Sequence, residues 1–356
     1  RDKAALQDAQ RRLEETLAAL EQTYRPMPSG LAITVTWGGP YFERYVSGPA
    51  ATMLPLDIRA AADAGQPVPA LLDAIRFPGD PPTIVLERND LAVRLASDSL
   101  DSIAAGAGAI FTRNPDLFRV TSVRKGFVGG GYDGGRGLPK QMALAAGIPG
   151  AEAIPETAQL FLGFTSTQAA ALGPALIANF ESLGYTDQTP DSYFAHGTIM
   201  HLSHIFEDLA RWYADDLRRR TGQALGHSGT MLSANRLRER VTDPYGNSYR
   251  PGTAILQRAD FDTLDNPYFF SANPQTDGQA GGYAAGLHFV AFAPTSDTFN
   301  RIRLAMDGQH SGGTLPGPFA ALASSKGFNA VLRTTHRQNF LVPPRAHRSF
   351  PLAELL

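Results

Sequence analysis

The chain contains no cysteine in its 356 residues. A disulfide-stabilised scaffold and every thiolate-bound haem or copper site are therefore excluded. Any redox centre in this protein would be held by histidine or oxygen ligands. The absence of cysteine is compatible with an oxidising compartment without identifying one.

An excess of charge of either sign is also lacking, with 32 Lys and Arg against 34 Asp and Glu and a formal net charge of -2. This balance argues against nucleic acid or an anionic membrane as a partner. The sequence has no uninterrupted apolar run of about 18 residues, the length that indicates a transmembrane helix. No membrane span is predicted.

Glycine and proline are abundant, at 35 and 26 residues. They are too many for a helical bundle and too dispersed for a collagen-like or disordered chain, so a mixed α and β protein with many turns is expected. Residues 129–137 are rich in glycine but lack the Lys-Ser/Thr pair of a phosphate-binding loop. This stretch predicts a flexible loop over a cavity.

Hydrophobic periodicity predicts helices and strands in both halves of the chain. Predicted helices cover residues 2–24, 91–105, 206–220 and 298–306, and predicted strands cover 31–37, 83–88, 118–123, 196–205, 286–293 and 338–342. The pattern favours an α+β protein of two similar halves, each with helices covering an antiparallel sheet. We place the domain boundary between residues 1–165 and 166–356, with any haem or metal pocket in the second domain.

Histidine is the residue type that stands out. On a strand, His201 would face one side and His204 the other, while His288 lies in the middle of an apolar strand. His227 lies in a Gly-His-Ser-Gly turn, where a backbone can approach a ligand closely. Neutral imidazole binds copper, zinc and iron, so these side chains are candidates for a metal site or for the axial ligand of a haem. The alternative for each is a hydrogen-bonded structural histidine.

Arg258 is the second candidate for chemistry, because it follows an apolar stretch and precedes Asp260 and Asp262. A cation in this position would hold an anion or polarise a bound peroxide. A structural ion pair with either carboxylate is the equally weighted alternative.

Six segments spread over residues 31–344 carry a family resemblance. They are 31–39, similar to a T-V-G-F-G strand; 161–164, to the start of G-F-x-D-G; 197–212, to G-S-Y-x-V-V-R-R-I and the next helix; 255–261, to I-L-R; 286–292, to G-L-L-F-V-x-F; and 339–343, to F-A-L-P. Together they resemble the dye-decolorising peroxidase (Dyp-type peroxidase) family. The resemblance implies two ferredoxin-like domains of the dimeric α+β barrel type with haem b bound mainly by the second. It also implies peroxide-dependent one-electron oxidation of aromatic or dye-like substrates, a homodimer, and export by the twin-arginine route.

Three positions depart from the family pattern. Ser166 stands where the family has its distal acid-base Asp, and a serine hydroxyl does not ionise near neutral pH. Gln257 stands where the family has its distal Arg, with Arg258 next to it. Arg238 falls near the position of the proximal His and is unable to ligate iron.

Three functions follow from this combination. In the first, haem is retained with His227 as a displaced axial ligand, and Arg258 stabilises the charge that develops as the O–O bond breaks. In the second, His201, His227 and His288 bind copper or another single metal ion in a non-haem redox protein. In the third, the scaffold is a catalytically silent binding protein.

Overall fold

A computed structural model describes residues 2–27, 29–130, 135–163, 191–217, 219–220, 239–242, 246, 248–264, 282–307, 309–310, 313–314 and 327–356. Within these ranges the strands are β1 (Ala32–Trp37), β2 (Val85–Leu86), β3 (Leu91–Ala96), β4 (Thr198–Glu207), β5 (Val241–Thr242), β6 (Ser248–Tyr249), β7 (Gln257–Arg258), β8 (Phe261–Thr263), β9 (Gly286–Ala293), β10 (Gln309–His310), β11 (Gly313–Thr314) and β12 (Leu332–Val342). The helices are α1 (Lys3–Thr23), α2 (Gly39–Tyr45), α3 (Ser47–Met53), α4 (Ile58–Ala64), α5 (Leu100–Ala107), α6 (Leu138–Ala145), α7 (Leu209–Ala214) and α8 (Ser296–Met306).

Eight of these strands form one sheet in the order β3-β1-β12-β4-β9-β7, with β8 also paired to β9 and β2 to β12. All pairs are antiparallel except β2 with β12. The longest pairing joins β12 to β4, from Leu332 opposite Glu207 to Val342 opposite Thr198. Strands from both halves of the sequence thus share one sheet, and residue 165 of the expected domain boundary lies outside the described residues.

The sheet is curled, because its two edges approach one another across one face. Arg94 of β3 lies over the ring of Phe261 of β8, with 6.0 Å between the guanidinium carbon and the ring centroid. We call this side the inner face; its apolar core is formed by Met200, Val290, Phe292, Phe340 and Val342. Helices cover the other side, the outer face.

Helix α1 packs on the outer face because its leucines recur at helical spacing. Leu6, Leu13 and Leu17 are buried in the same cluster as the outward residues of β1, Ile33, Val35 and Trp37. Asp2 begins the helix by accepting a hydrogen bond from the Ala5 N–H at 2.8 Å. Helix α8 also covers the outer face, where Phe299 clusters with Phe77 and Ala291.

The predicted α+β class with an antiparallel sheet covered by helices is confirmed. The strand predicted at 286–293 coincides with β9, and α1, β1 and α8 lie within two residues of their predicted bounds. Within the described residues, no helix is both long enough and apolar enough to cross a membrane.

Two predicted elements were wrong. Residues 91–96 form the strand β3, and the helix expected at 91–105 begins only after Ser99, whose hydroxyl accepts a hydrogen bond from the Ser102 N–H. Residues 118–123 form no strand in the described structure, and Val120 and Val123 are about half exposed. The helix expected at 206–220 is also shortened at its start, since β4 continues to Glu207 and Asp208 caps α7.

Candidate functional site

Three buried histidines lie side by side on the inner face. His288 of β9 is opposite His204 of β4, and His204 is opposite His336 of β12. The rings of His204 and His288 stack with centroids 4.8 Å apart, and those of His204 and His336 lie 6.1 Å apart. None of the three side chains is more than 5% exposed. We call these three residues the histidine row.

Burial disfavours the charged form of two of these imidazoles, those of His288 and His336. It lowers the pKa of His288 well below the ordinary value, and the charges of His204 and Arg124 act in the same direction. Burial and the same two neighbours lower the pKa of His336 to about 4. The Thr335 hydroxyl lies 2.9 Å from Nδ1 of His204 and 3.1 Å from Nδ1 of His336. His288 and His336 are therefore neutral at pH 7, and the row is a polar layer inside the curled sheet.

His201 lies on the outer face, as strand alternation predicted. Its Nδ1 is 2.7 Å from Oδ1 of Asn339, and its Nε2 is 2.6 Å from Oγ of Ser203. Its ring stacks on Phe299 with 3.4 Å between centroids. Burial and the charge of Arg337 lower the pKa of His201 well below the ordinary value. With both ring nitrogens engaged, His201 has the contacts of a structural core residue.

The expected metal set of His201, His227 and His288 is not assembled by the described residues. His201 and His288 lie on opposite faces of the sheet, because His288 is opposite His204, three residues along β4 from His201. The sheet itself separates the two imidazoles, so they are not ligands of a common ion. In the described ranges no three His, Asp or Glu side chains are grouped so that they could hold a metal ion.

Arg258 and Asp260 lie beside the gap between β7 and β8. Nη1 of Arg258 is 3.6 Å from Oδ2 of Asp260, and the Arg258 side chain is 47% exposed. Asp260 is buried and accepts a hydrogen bond from the Val290 N–H, 3.1 Å away. Burial raises the pKa of Asp260 to about 6, while the charges of Arg258 and Arg94 oppose this rise. Gln257, at the expected position of the family's Arg, is the residue before this pair.

Two further carboxyl groups, of Glu207 and Asp262, are fully buried. Oδ2 of Asp262 accepts a hydrogen bond from the Phe161 N–H at 2.8 Å. Oδ1 of Asp262 and Oε2 of Glu207 have no hydrogen-bond partner among the described residues. Burial, helped by the charge of Asp260, raises the pKa of Glu207 to about 8. Burial and the charge of Glu207 raise the pKa of Asp262 well above its ordinary value. We call Glu207 and Asp262 the carboxyl pair.

The carboxyl pair adjoins the chain that leads into residue 164. The Tyr213 hydroxyl donates to the Phe161 carbonyl at 2.6 Å, and the Trp212 indole N–H donates to the Leu162 carbonyl at 3.1 Å. Phe161 and Leu162 are thereby fixed between α7 and Asp262. Three of the predicted site residues, Ser166, His227 and Arg238, lie outside the described residues.

The sequence did not identify this pair as a site. Asp262 entered only as an ion-pair partner of Arg258, which instead lies against Asp260. The available signal was an acidic residue within an otherwise apolar strand pattern, at Phe261-Asp262-Thr263 and at the end of β4. A buried carboxylate without a cation requires a proton or a ligand to offset its desolvation, so such positions mark functional candidates.

A family model described as a family of unknown function, DUF7405, matches residues 1–228. No curated protein matches the chain by sequence. Solved structures with a similar fold include a dye-decolorizing protein from V. cholerae, at 11% identity and a TM-score of 0.56 over 96% of this chain and 90% of that one. An encapsulated DyP-type peroxidase from Mycobacterium smegmatis matches at 13% identity and 0.56 over 98% and 90%. A Rhodococcus jostii DypB variant in complex with heme matches at 12% and 0.54 over 96% and 90%. At these identities the likeness establishes the fold.

Proposed function

The chain belongs to the DUF7405 family, and we propose that it is a peroxidase-like oxidoreductase that binds haem b. The observation that carries the proposal is the fold, which is shared with Dyp-type peroxidases over 96% or more of this chain. A fold hosts more than one function, so the proposal also depends on what the residues can do. The substrates we propose are a peroxide and an aromatic or dye-like small molecule.

Two buried acidic side chains are suited to the proton transfer that a haem peroxidase reaction requires. Asp262 and Glu207 each present a buried oxygen that no described residue satisfies, beside the segment where the resemblance places the distal acid. The group that ligates the iron has to come from elsewhere. His201 has both ring nitrogens engaged, and His288 is packed inside the curled sheet. We propose His227, in its Gly-His-Ser-Gly turn, as the axial ligand.

When bound, haem would supply the iron at which a peroxide is reduced and an aromatic donor is oxidised. The protein has to move a proton at that site, and Ser166 is unable to do so by ionising. We propose that the carboxyl pair holds this proton. A group with a pKa near 8, such as Glu207, is protonated in most molecules at pH 7 and releases its proton at little cost.

Asp262 is positioned for this role by the backbone rather than by a cation. The Phe161 N–H holds one of its oxygens, which leaves Oδ1 to carry or accept a proton. Arg258 is proposed to contribute positive charge to the same region through Asp260, against which it lies. Its exposure places its guanidinium at the rim of the protein and in contact with solvent.

Haem titration tests the proposal directly. Adding hemin to the purified full chain should give a Soret band that saturates at one equivalent, and a peroxide should then support oxidation of a dye. His227→Ala should lose or strongly perturb the band, while His196→Asn, a change at an exposed histidine, should leave it unchanged. Absence of any Soret band would reject haem binding, and one equivalent of copper by elemental analysis would favour the non-haem alternative.

A further inference from the structure

A cavity of about 270 Å³ opens at the end of the sheet where β4 finishes and β12 begins. No residue of the histidine row or of the carboxyl pair belongs to its lining. Its lining comes from the last residues of β4, the first turn of α7 and the start of β12: Phe206, Asp208, Arg211, Ala330, Val331 and Arg333. Cavities of this size are close to the lower limit of small-molecule sites.

The cavity is positively charged because two guanidinium groups line it. Arg211 and Arg333 are both exposed, and neither forms an ion pair with a carboxylate within the part of the chain that the structure describes. Asp208 is the one acidic residue in the lining. Its Oδ1 accepts a hydrogen bond from the Arg211 backbone N–H at 3.0 Å. The lining therefore carries one net positive charge.

One of these cations lies next to a bulge in β12 and stacks on an aromatic ring. Thr334 is opposite Ile205 and His336 is opposite His204, so Thr335 is an extra residue in the ladder. An extra residue changes which face the following side chains occupy. Two residues before this bulge, Arg333 lies directly opposite Phe206, with its guanidinium carbon 4.6 Å from the centre of that ring. Stacking on an aromatic ring holds a guanidinium in place while leaving its N–H groups available to a ligand.

We propose that this cavity binds a small organic carboxylate with an apolar body. A planar guanidinium matches a carboxylate in geometry, and two of them in one cavity can hold both oxygens. The side chain of Phe206 and the aliphatic residues Ala330 and Val331 give the remainder of the lining its apolar character. The carboxylate of Asp208 disfavours a dianion such as phosphate, because only one net positive charge would compensate it.

Calorimetric titration of the full chain with benzoate tests the site, with benzamide as the neutral probe of the same shape. Benzoate should bind with one-to-one stoichiometry, and benzamide and sulfate should bind more weakly. Arg333→Gln and Arg211→Gln should each weaken benzoate binding roughly ten-fold or more, since each removes a charged donor from the carboxylate. Arg333→Lys keeps the charge but loses the planar guanidinium that matches a carboxylate and stacks on Phe206. It should weaken benzoate binding less than Arg333→Gln.

Arg219→Gln is the matched control, because Arg219 is an exposed arginine that pairs with Asp215 outside the cavity. It should bind benzoate as the unmodified protein does. Equal affinity for benzamide and benzoate, unchanged affinity in Arg333→Gln, or no saturable benzoate binding would each overturn the proposal. Because these titrations are made without added hemin, they are independent of the proposed peroxidase function.

Discussion

The charge of Glu207 raises the pKa of Asp262, although the two residues lie 55 positions apart in sequence. Burial is the main cause of the raised pKa of each, and no cation among the described residues opposes it. Most buried carboxylates in proteins are paired or accept several hydrogen bonds. Here the Phe161 N–H is the hydrogen-bond donor to Asp262, and the neighbouring Asp260 adds further negative charge. Retaining a proton is how such a pair avoids two buried charges.

The first prediction concerns stability at high pH. The folded pKa of Glu207, about 8, is higher than the ordinary value of 4.5. The contribution of Glu207 to the free energy of unfolding is therefore fully present below pH 4.5 and is lost as pH rises through about 8. Glu207→Gln, which cannot ionise, should flatten this loss and should be more stable than the unmodified protein by a few kcal/mol above pH 8.

Urea unfolding at several pH values between about 5 and 9 measures this difference. Glu15→Gln is the control, since Glu15 is an exposed residue of α1 that pairs with the equally exposed Arg11. It should keep the pH dependence of the unmodified protein. If the Glu207→Gln and Glu15→Gln profiles coincide, Glu207 does not carry a raised pKa.

The second prediction concerns acid. The folded pKa of His336 is lowered to about 4 from the ordinary 6.5, so its neutral form stabilises the fold fully above pH 6.5. That stability is lost as pH falls from 6.5 through 4. His336→Gln should reduce the loss of melting temperature over this range. His196→Asn, at an exposed residue with a positive φ of 65° that Asn tolerates, should not. Equal acid sensitivity of the two variants would contradict the prediction.

The third prediction concerns the buried ion pair between Asp80 and Arg337 on the outer face. Both side chains are almost fully buried, and the two contacts measure 2.6 and 2.9 Å. Asp80→Asn leaves the Arg337 guanidinium buried without its main counter-charge and should cost about 3–5 kcal/mol of unfolding free energy. Asp73→Asn, at an exposed partner of Arg88, should cost less than about 1 kcal/mol. Chemical unfolding of both variants measures these losses. Equal losses would show that the buried Asp80–Arg337 pair contributes no more to the free energy of unfolding than an exposed pair does.

Local patterns in the sequence were sufficient for the elements that bury one regular face. Residues 286–293 were found with their bounds because apolar residues fill the strand apart from Gly286 and His288. Residues 91–105 were misassigned because Leu91 and Leu95 satisfy a helical spacing, while Leu91, Val93 and Leu95 also alternate. Only the pairing of β3 with β1 decides between the two, and that pairing is a tertiary contact.

The site was less accessible from sequence because it depends on contacts between distant residues. Alternation placed His201 and His204 on opposite faces correctly, but it could not show that His288 joins His204. That depends on the register of β9 against β4. The extra residue at Thr335 in β12 leaves no mark in composition or periodicity. The carboxyl pair combines the last residue of β4 with the middle residue of β8, which no local pattern connects.

The last prediction links the carboxyl pair to catalysis in the haem-loaded protein. Asp262→Asn keeps the shape of the side chain but removes the group that takes up and releases a proton. If the pair moves the proton, the rate of the step with peroxide should fall roughly 100-fold or more, and its pH profile should lose the ionisation seen in the unmodified protein. The Soret band at saturating hemin should be unchanged, which separates loss of proton transfer from loss of haem. Asp215→Asn, at an acid that pairs with Arg219 away from the carboxyl pair, should keep both rate and profile. A full rate in Asp262→Asn with haem bound would exclude Asp262 from the proton transfer and leave Glu207 as the remaining candidate.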